Sequence, residues 1–208
     1  MPLQNRVSPF GELFAAPVRG TFMGNRGGRI HDGVQKLGSR RWSSKQWICC
    51  VLDFKGRHRR VWGDSYTELF FLDEVTALAA GHRPCFECRR ADATAFAESW
   101  KRSTGRKPTA PEMDKVLHAQ RLDGRDKRVH SMPLSGLPDG TMIAQNGSVY
   151  AVKGDALLHW TPSGYVQPIA RGKDDVVVVL TPPAIVDILA NAYEPHWHAS
   201  AARRASPQ

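Results

Sequence analysis

The sequence predicts an α+β fold in which small antiparallel sheets alternate with three or four short helices. Three observations lead there. Apolar residues recur with period two, between turn residues, in both halves of the chain. Stretches of helical length carry an apolar stripe at 3.6 spacing. A chain of 208 residues with 41% apolar and 24% charged residues can bury a core.

In chain order, residues 47–54 are apolar and β-branched and read as a strand. Lys55-Gly56 offers a turn, and 57–62 then reads as the second arm of a hairpin. A third strand is expected over 66–72. Asp73 can cap a helix over 74–80 that Gly81 closes. A second helix over 90–101 places Ala93, Phe96, Ala97 and Trp100 on one stripe. Residues 103–108 form a polar break. Pro111 suits the first turn of a helix that Gly124 ends. Segments 141–145 and 148–152 flank Asn146-Gly147, a strong hairpin signal. Residues 176–180 read as a fully buried strand. Thr181-Pro182-Pro183 then opens a last helix to about residue 192. The expected division is a basic domain over 1–103 and a helix-plus-β region over 104–199, separate from or continuous with the first. Residues 200–208 are expected to be a disordered tail.

No apolar run reaches the ~20 residues that span a bilayer. The N-terminus lacks the apolar core of a secretory signal. The expectation is a cytoplasmic protein with no membrane partner. Its net charge is +9, and from Arg19 to Arg60 eleven basic residues face two acids, Asp32 and Asp53. A field of that sign attracts polyanions, nucleic acid being the commonest. A small anionic substrate or a solvated surface are the alternatives.

Cys49, Cys50, Cys85 and Cys88 fall within forty residues. Cys85-Phe86-Glu87-Cys88 is a C-x₂-C pair, a spacing that lets two thiolates hold one Zn²⁺ from a turn leading into a helix. A redox dithiol and plain core cysteines are the competing readings. The same residues form half of the zinc deaminase signature, yet no upstream His or Cys has Glu two positions on, which excludes that chemistry.

Residues 69–89, centred on Ala77-Leu78-Ala79-Ala80-Gly81-His82-Arg83-Pro84-Cys85-Phe86-Glu87-Cys88, resemble the zinc-binding domain of Ada-type methylphosphotriester DNA-repair proteins. The resemblance implies a cysteine-rich zinc site on a small β-plus-helix scaffold that touches the DNA backbone, so the N-terminal part is expected to be zinc-stabilised. The family's upstream ligands form C-x₃-C. Here the upstream residues are the adjacent Cys49 and Cys50, with His58 beyond them. Neighbours on a strand point to opposite faces, so one cysteine of the pair can join. The expected ligands are Cys85, Cys88, Cys50 and His58, and the zinc is expected to be structural, not methyl-accepting.

The glycine-rich, basic stretch 19–32 could cradle phosphates but lacks the G-K-[ST] of a P-loop. His31 and Asp32 within it are the acid/base candidates if the protein is an enzyme. His196-Trp197-His198 could chelate a metal or be incidental. The aromatics of 160–165 could stack a base or pack on the sheet. Arg125, Lys127, Arg128 and His130 form a second basic cluster.

The leading expectation is a zinc-containing nucleic-acid-binding protein, with DNA favoured over RNA and damaged or modified DNA a candidate target. Arg26, Arg29, Arg40, Arg41, Arg57, Arg59, Arg60, Arg83, Arg89 and Arg90 are the expected phosphate contacts. The alternatives are a hydrolase on nucleic acid, a nuclease or DNA glycosylase with a structural zinc, and a non-catalytic interaction module.

Overall fold

The computed structural model describes residues 1–57, 60–172 and 175–202. His58, Arg59 and the tail from 203 onward lie outside them.

The first half begins with β1 (Arg6–Val7), β2 (Leu13–Phe14), β3 (Phe22–Arg26), β4 (Trp47–Cys50) and β5 (Leu69–Phe71). Helix α1 (Glu74–Ala79) and β6 (Arg83–Pro84) follow. The six strands form one sheet in the order β2-β1-β5-β3-β4-β6. β3 is the centre of that sheet. It pairs antiparallel with β4 and with β5. Gly24 makes this possible, since a Cβ there would sit 2.1 Å from the Ile48 carbonyl oxygen. Within the stretch 19–32, residues 22–26 are strand β3 and His31 makes an isolated bridge to Leu37, while the remaining residues are irregular.

α1 is short, but its caps are well built. The Asp73 side chain accepts from the Thr76 amide at 2.9 Å. Gly81, at φ +84°, turns the chain out of the helix. All six α1 residues are buried, so the helix is an interior strut.

Among the described residues, the expected hairpin over 47–62 has only its first arm as a strand. β4 stops at Cys50, and its partners are β3 and, in parallel, β6. Lys55 and Gly56 do form a turn, both at positive φ, but Arg57 and residues 60–62 add no strand. A pairing more distant in sequence won because it covers β4 on both edges.

α2 (Arg90–Thr104) buries Ala93, Phe96, Ala97 and Trp100, the stripe read from the sequence, and ends at left-handed Gly105. α3 (Ala110–Arg121) opens on a capping box between Thr109 and Glu112. It runs into a two-residue ladder, β7 (Leu122–Asp123) against β8 (Asp126–Lys127), that turns at Gly124.

The second sheet contains β9 (His130–Pro133), β10 (Met142–Gln145), β11 (Ser148–Lys153), β12 (Ala156–Thr161), β13 (Gly164–Ala170) and β14 (Val176–Val179). Their order is β13-β12-β11-β10-β14-β9. Asn146 and Gly147, both at positive φ, form the turn between β10 and β11. β14 alternates exposed and buried residues instead of being buried throughout, because one face of this sheet meets solvent. α4 (Pro183–Ala190) closes the chain's regular structure.

Leu78, Phe96, Trp100, Met113, Leu117, Ile185 and Tyr193 form one apolar cluster that draws on both sides of residue 104. Two hydrogen bonds tie the second sheet to the first half. Trp160 Nε1 donates to Thr76 Oγ1, and Tyr165 Oη donates to Asp73 Oδ2. The aromatics of 160–165 are thus packing residues. Residues 200–202 of the expected tail are ordered, since residues 199–202 form a 3₁₀ turn and the Ser200 hydroxyl accepts from the Tyr165 amide; the rest of it lies outside the described residues. Among the described residues, no helix is long and apolar enough to cross a membrane.

Candidate metal centre

The parallel pairing of β4 with β6 builds the site. It sets Ile48 opposite Arg83 and Cys49 opposite Pro84. The Cys85 amide then donates to the Cys49 carbonyl at 2.9 Å, so the turn of residues 85–88 lies against the end of β4. The Arg89 amide donates to the Cys85 carbonyl at 3.0 Å and leads the turn into α2. Strand alternation sends the sulfurs of Cys49 and Cys50 opposite ways. Cys50 meets Cys85 and Cys88, and their Sγ atoms all lie within 4.8 Å of one another. Tetrahedral Zn²⁺ with bonds of ~2.3 Å separates its sulfurs by roughly 3.8 Å, a spacing that falls inside that limit.

Cys49 faces the other side, in a cluster with Val7, Leu69, Phe71 and Ala77. Burial pushes its thiol well above the ordinary cysteine range. In the metal-free trio, hydrogen bonds from Cys50 and Cys88 hold the Cys85 thiol far below its ordinary value, and the same contact pushes Cys50 up. Three cysteines this close form a cluster that a divalent cation can occupy once the thiols are deprotonated.

Arg89 locks the start of α2. Its guanidinium donates to Glu74 at 2.7 Å, to Asp92 at 2.9 Å and to Cys49 Sγ at 3.4 Å. Glu74 also accepts from Tyr193 Oη at 2.6 Å and the His196 amide at 2.9 Å. Arg83 makes two bonds to Asp114 at 2.9 and 2.8 Å. Both arginines are buried. They brace the knuckle from behind and do not present guanidinium groups to solvent. Arg26 is buried as well, at 2% exposure. Arg29, Arg40, Arg41, Arg57, Arg60 and Arg90 remain on the surface, and Arg57 pairs with Glu87 at 2.8 Å inside the C-x₂-C turn. The expected fourth ligand His58, and Arg59, lie outside the described residues.

His31 and Asp32 do not form an acid/base pair. The Gly63 carbonyl can only accept, so His31 Nε2 donates to it at 2.9 Å, and Nδ1 takes the Thr67 hydroxyl at 2.6 Å. The ring also stacks on Trp62 at 5.3 Å. Both nitrogens are used in holding the loop. The Asp32 carboxylate accepts from the amides of Val34 and Lys36, which shapes the same exposed loop. His196 and His198 are likewise separately engaged, with Asp92 and Ser200.

The three sulfurs form one wall of a cavity of about 330 Å³. Its lining also includes Phe54, Tyr66, Glu68 and Phe70. Glu68 was missed by sequence reasoning. It is 3% exposed, and its Oε2 accepts from the Trp62 amide at 2.8 Å. Its Oε1 is buried with no hydrogen-bond partner among the described residues. A buried oxygen left unpaired is costly, and such groups mark places where a ligand, ion or water completes the site. The signal in the sequence was a lone carboxylate amid the apolar run 66–72.

Comparisons with protein-family models, with curated proteins and with solved structures returned no match.

Proposed function

We propose that the protein is a zinc-containing nucleic-acid-binding protein that binds DNA, with modified or damaged DNA as its target class. The observation that carries this reading is the convergence of Cys50, Cys85 and Cys88 on one point, in a cavity that Arg57 also lines and two residues from exposed Arg90, with Arg60 also on the surface. Three thiolates suit Zn²⁺ in a reduced compartment, and the ion fastens β4 to the start of α2. The resemblance of residues 69–89 to the Ada-type zinc-binding domain points the same way. The exposed arginines supply phosphate contacts, which give affinity without sequence information. The test is binding of short DNA duplexes across a salt series. Affinity should fall steeply with salt, and replacing Arg57 and Arg60 with Gln should flatten the slope; salt-independent binding, or none, contradicts the reading.

Glu68 favours a second reading, an enzyme that hydrolyses a bond in nucleic acid while zinc holds the fold. Its unpaired oxygen in the cavity wall is suited to take a proton from an attacking water. Incubation with plain and chemically modified DNA decides it. Product formation that Glu68→Gln abolishes, with zinc content unchanged, supports the enzyme; binding without product leaves the first reading.

A further inference from the structure

At the end of the first sheet where β3 stops and β4 starts, three cationic side chains converge. Arg26 and Arg121 are buried at 2% and 1% exposure, and half-buried Lys127 reaches in from β8. The two guanidinium groups lie on the Trp47 indole, at 4.0 and 3.8 Å from its ring centroid. None of the three makes an ion pair with a carboxylate among the described residues. The acid that acts on Arg121, Asp114, already gives both oxygens to Arg83. Glu12 and Asp126 stand at the exposed rim.

Their partners are instead backbone carbonyls and two histidine rings, His118 Nδ1 meeting Arg121 at 2.9 Å and His82 Nε2 accepting from Arg26 Nε at 3.5 Å. Arg26 donates to Gly11 at 2.7 Å, Arg121 to Gly81 and Lys45 at 2.8 Å each, and Lys127 to Ala79. Gly81 is needed here, because a Cβ would sit 2.6 Å from the Arg121 side chain. Carbonyl dipoles offset only part of three full charges. Burial first, and mutual repulsion second, bring Lys127 down to about 7 and Arg121 to about 8. Two buried donors, Arg121 Nε and Trp47 Nε1, have no partner among the described residues. Charge and donors are both in surplus.

These groups border a cavity of about 520 Å³ whose mouth carries Arg41 and Arg125 and whose sides include Phe10 and Trp42. We infer that this cavity is an anion site for a phosphate monoester, the phosphate seated among Arg26, Arg121 and Lys127 and its organic group against the aromatic wall. A dianion supplies the missing counter-charge, and its oxygens accept the remaining Arg and Lys protons. The site is separate from the cysteine cluster, and the inference does not depend on the metal. The phosphate could be carried by a free mononucleotide or by the 5′ end of a DNA strand; the chemistry recognised is the same.

Calorimetric titration of the full chain with inorganic phosphate, dAMP, deoxyadenosine, and a 5′-phosphorylated oligonucleotide beside its unphosphorylated twin tests this. Phosphate and dAMP should bind, and dAMP should bind about tenfold or more tighter than deoxyadenosine, the factor one charged hydrogen bond supplies. A preference for the phosphorylated oligonucleotide assigns the phosphate to a strand end; equal binding of the twins with dAMP retained assigns it to a free nucleotide. Lys127→Met should weaken phosphate about tenfold. Arg41→Gln, at the exposed mouth, should weaken it while leaving the melting curve unchanged, so a loss seen in both variants cannot be misfolding. No heat with phosphate or dAMP, or the same affinity in Arg41→Gln and a folded Lys127→Met, overturns the proposal.

Discussion

Replacing Glu74 with Gln isolates one charge in the most buried network of the molecule. Glu74 is 0% exposed and pairs with Arg89 at 2.7 Å. Gln keeps the shape. Its one carbonyl oxygen, set where Oε2 now lies, still accepts from Arg89 and the His196 amide, both of which use that oxygen. Its amide nitrogen can donate to the Tyr193 hydroxyl, which then acts as acceptor. What is lost is the attraction of full charges, about 4 kcal/mol at a separation of ~4 Å and an effective dielectric of ~20. Relief from burying a carboxylate returns part of that, and Asp92, at 31% side-chain exposure, still serves Arg89. The net loss should be about 2–4 kcal/mol, near the lower end for a broken buried pair. For a chain of this size that lowers Tm by about 4–16 °C. Urea unfolding followed by tryptophan fluorescence, with thermal melts beside it, measures both. A loss below about 1 kcal/mol with the fold intact would refute the reasoning that Arg89 depends on this charge.

Cys50→Ser and Cys85→Ser should each lose bound zinc, measured by elemental analysis, whereas Cys49→Ser should keep about one ion per chain. Chelating the zinc should lower the melting temperature, because β4 and the start of α2 lose their clasp, and adding zinc back should restore it. His31→Ala should lower the melting temperature through loss of its two hydrogen bonds and its stacking on Trp62, whichever activity the protein has. Glu112, held down to about 2 by Arg106 and the Thr109 groups it accepts from, stabilises the start of α3. Its folded pKa is depressed, so that contribution is complete above the unfolded value of about 4.3 and disappears as pH falls through about 2. Glu112→Gln should therefore flatten the acid limb of a stability-against-pH curve.

Local signals carried much of the fold. Asp73 and Gly81, the Ala93–Trp100 stripe, and Asn146-Gly147 each act within a few residues, and each marks an element that formed. The failed hairpin over 47–62 shows the limit. Its apolar arm was a strand, but pairing was decided by residues far away, with β3 on one edge and β6 on the other, and no local pattern encodes that choice. The same register explains the site. The C-x₂-C spacing pointed to Cys85 and Cys88, and strand alternation allowed one of the adjacent pair, named as Cys50, to join them; the parallel pairing of β4 with β6 is what brings that cysteine to the turn. The arginines divided for a related reason. Composition counts charges without telling which are buried, so Arg83 and Arg89 appeared in sequence among the surface groups although Asp114 and Glu74 hold them inside. Glu68 and the Arg26–Arg121–Lys127 group went unseen because each is defined by what surrounds it in space.

X-ray absorption at the zinc edge of the purified full chain tests the metal assignment most directly. The account predicts about one zinc per chain with three sulfur neighbours at ~2.3 Å and a lighter atom as the fourth. Protein purified from zinc-replete cells without the ion, or with a fourth sulfur in the shell, would contradict it.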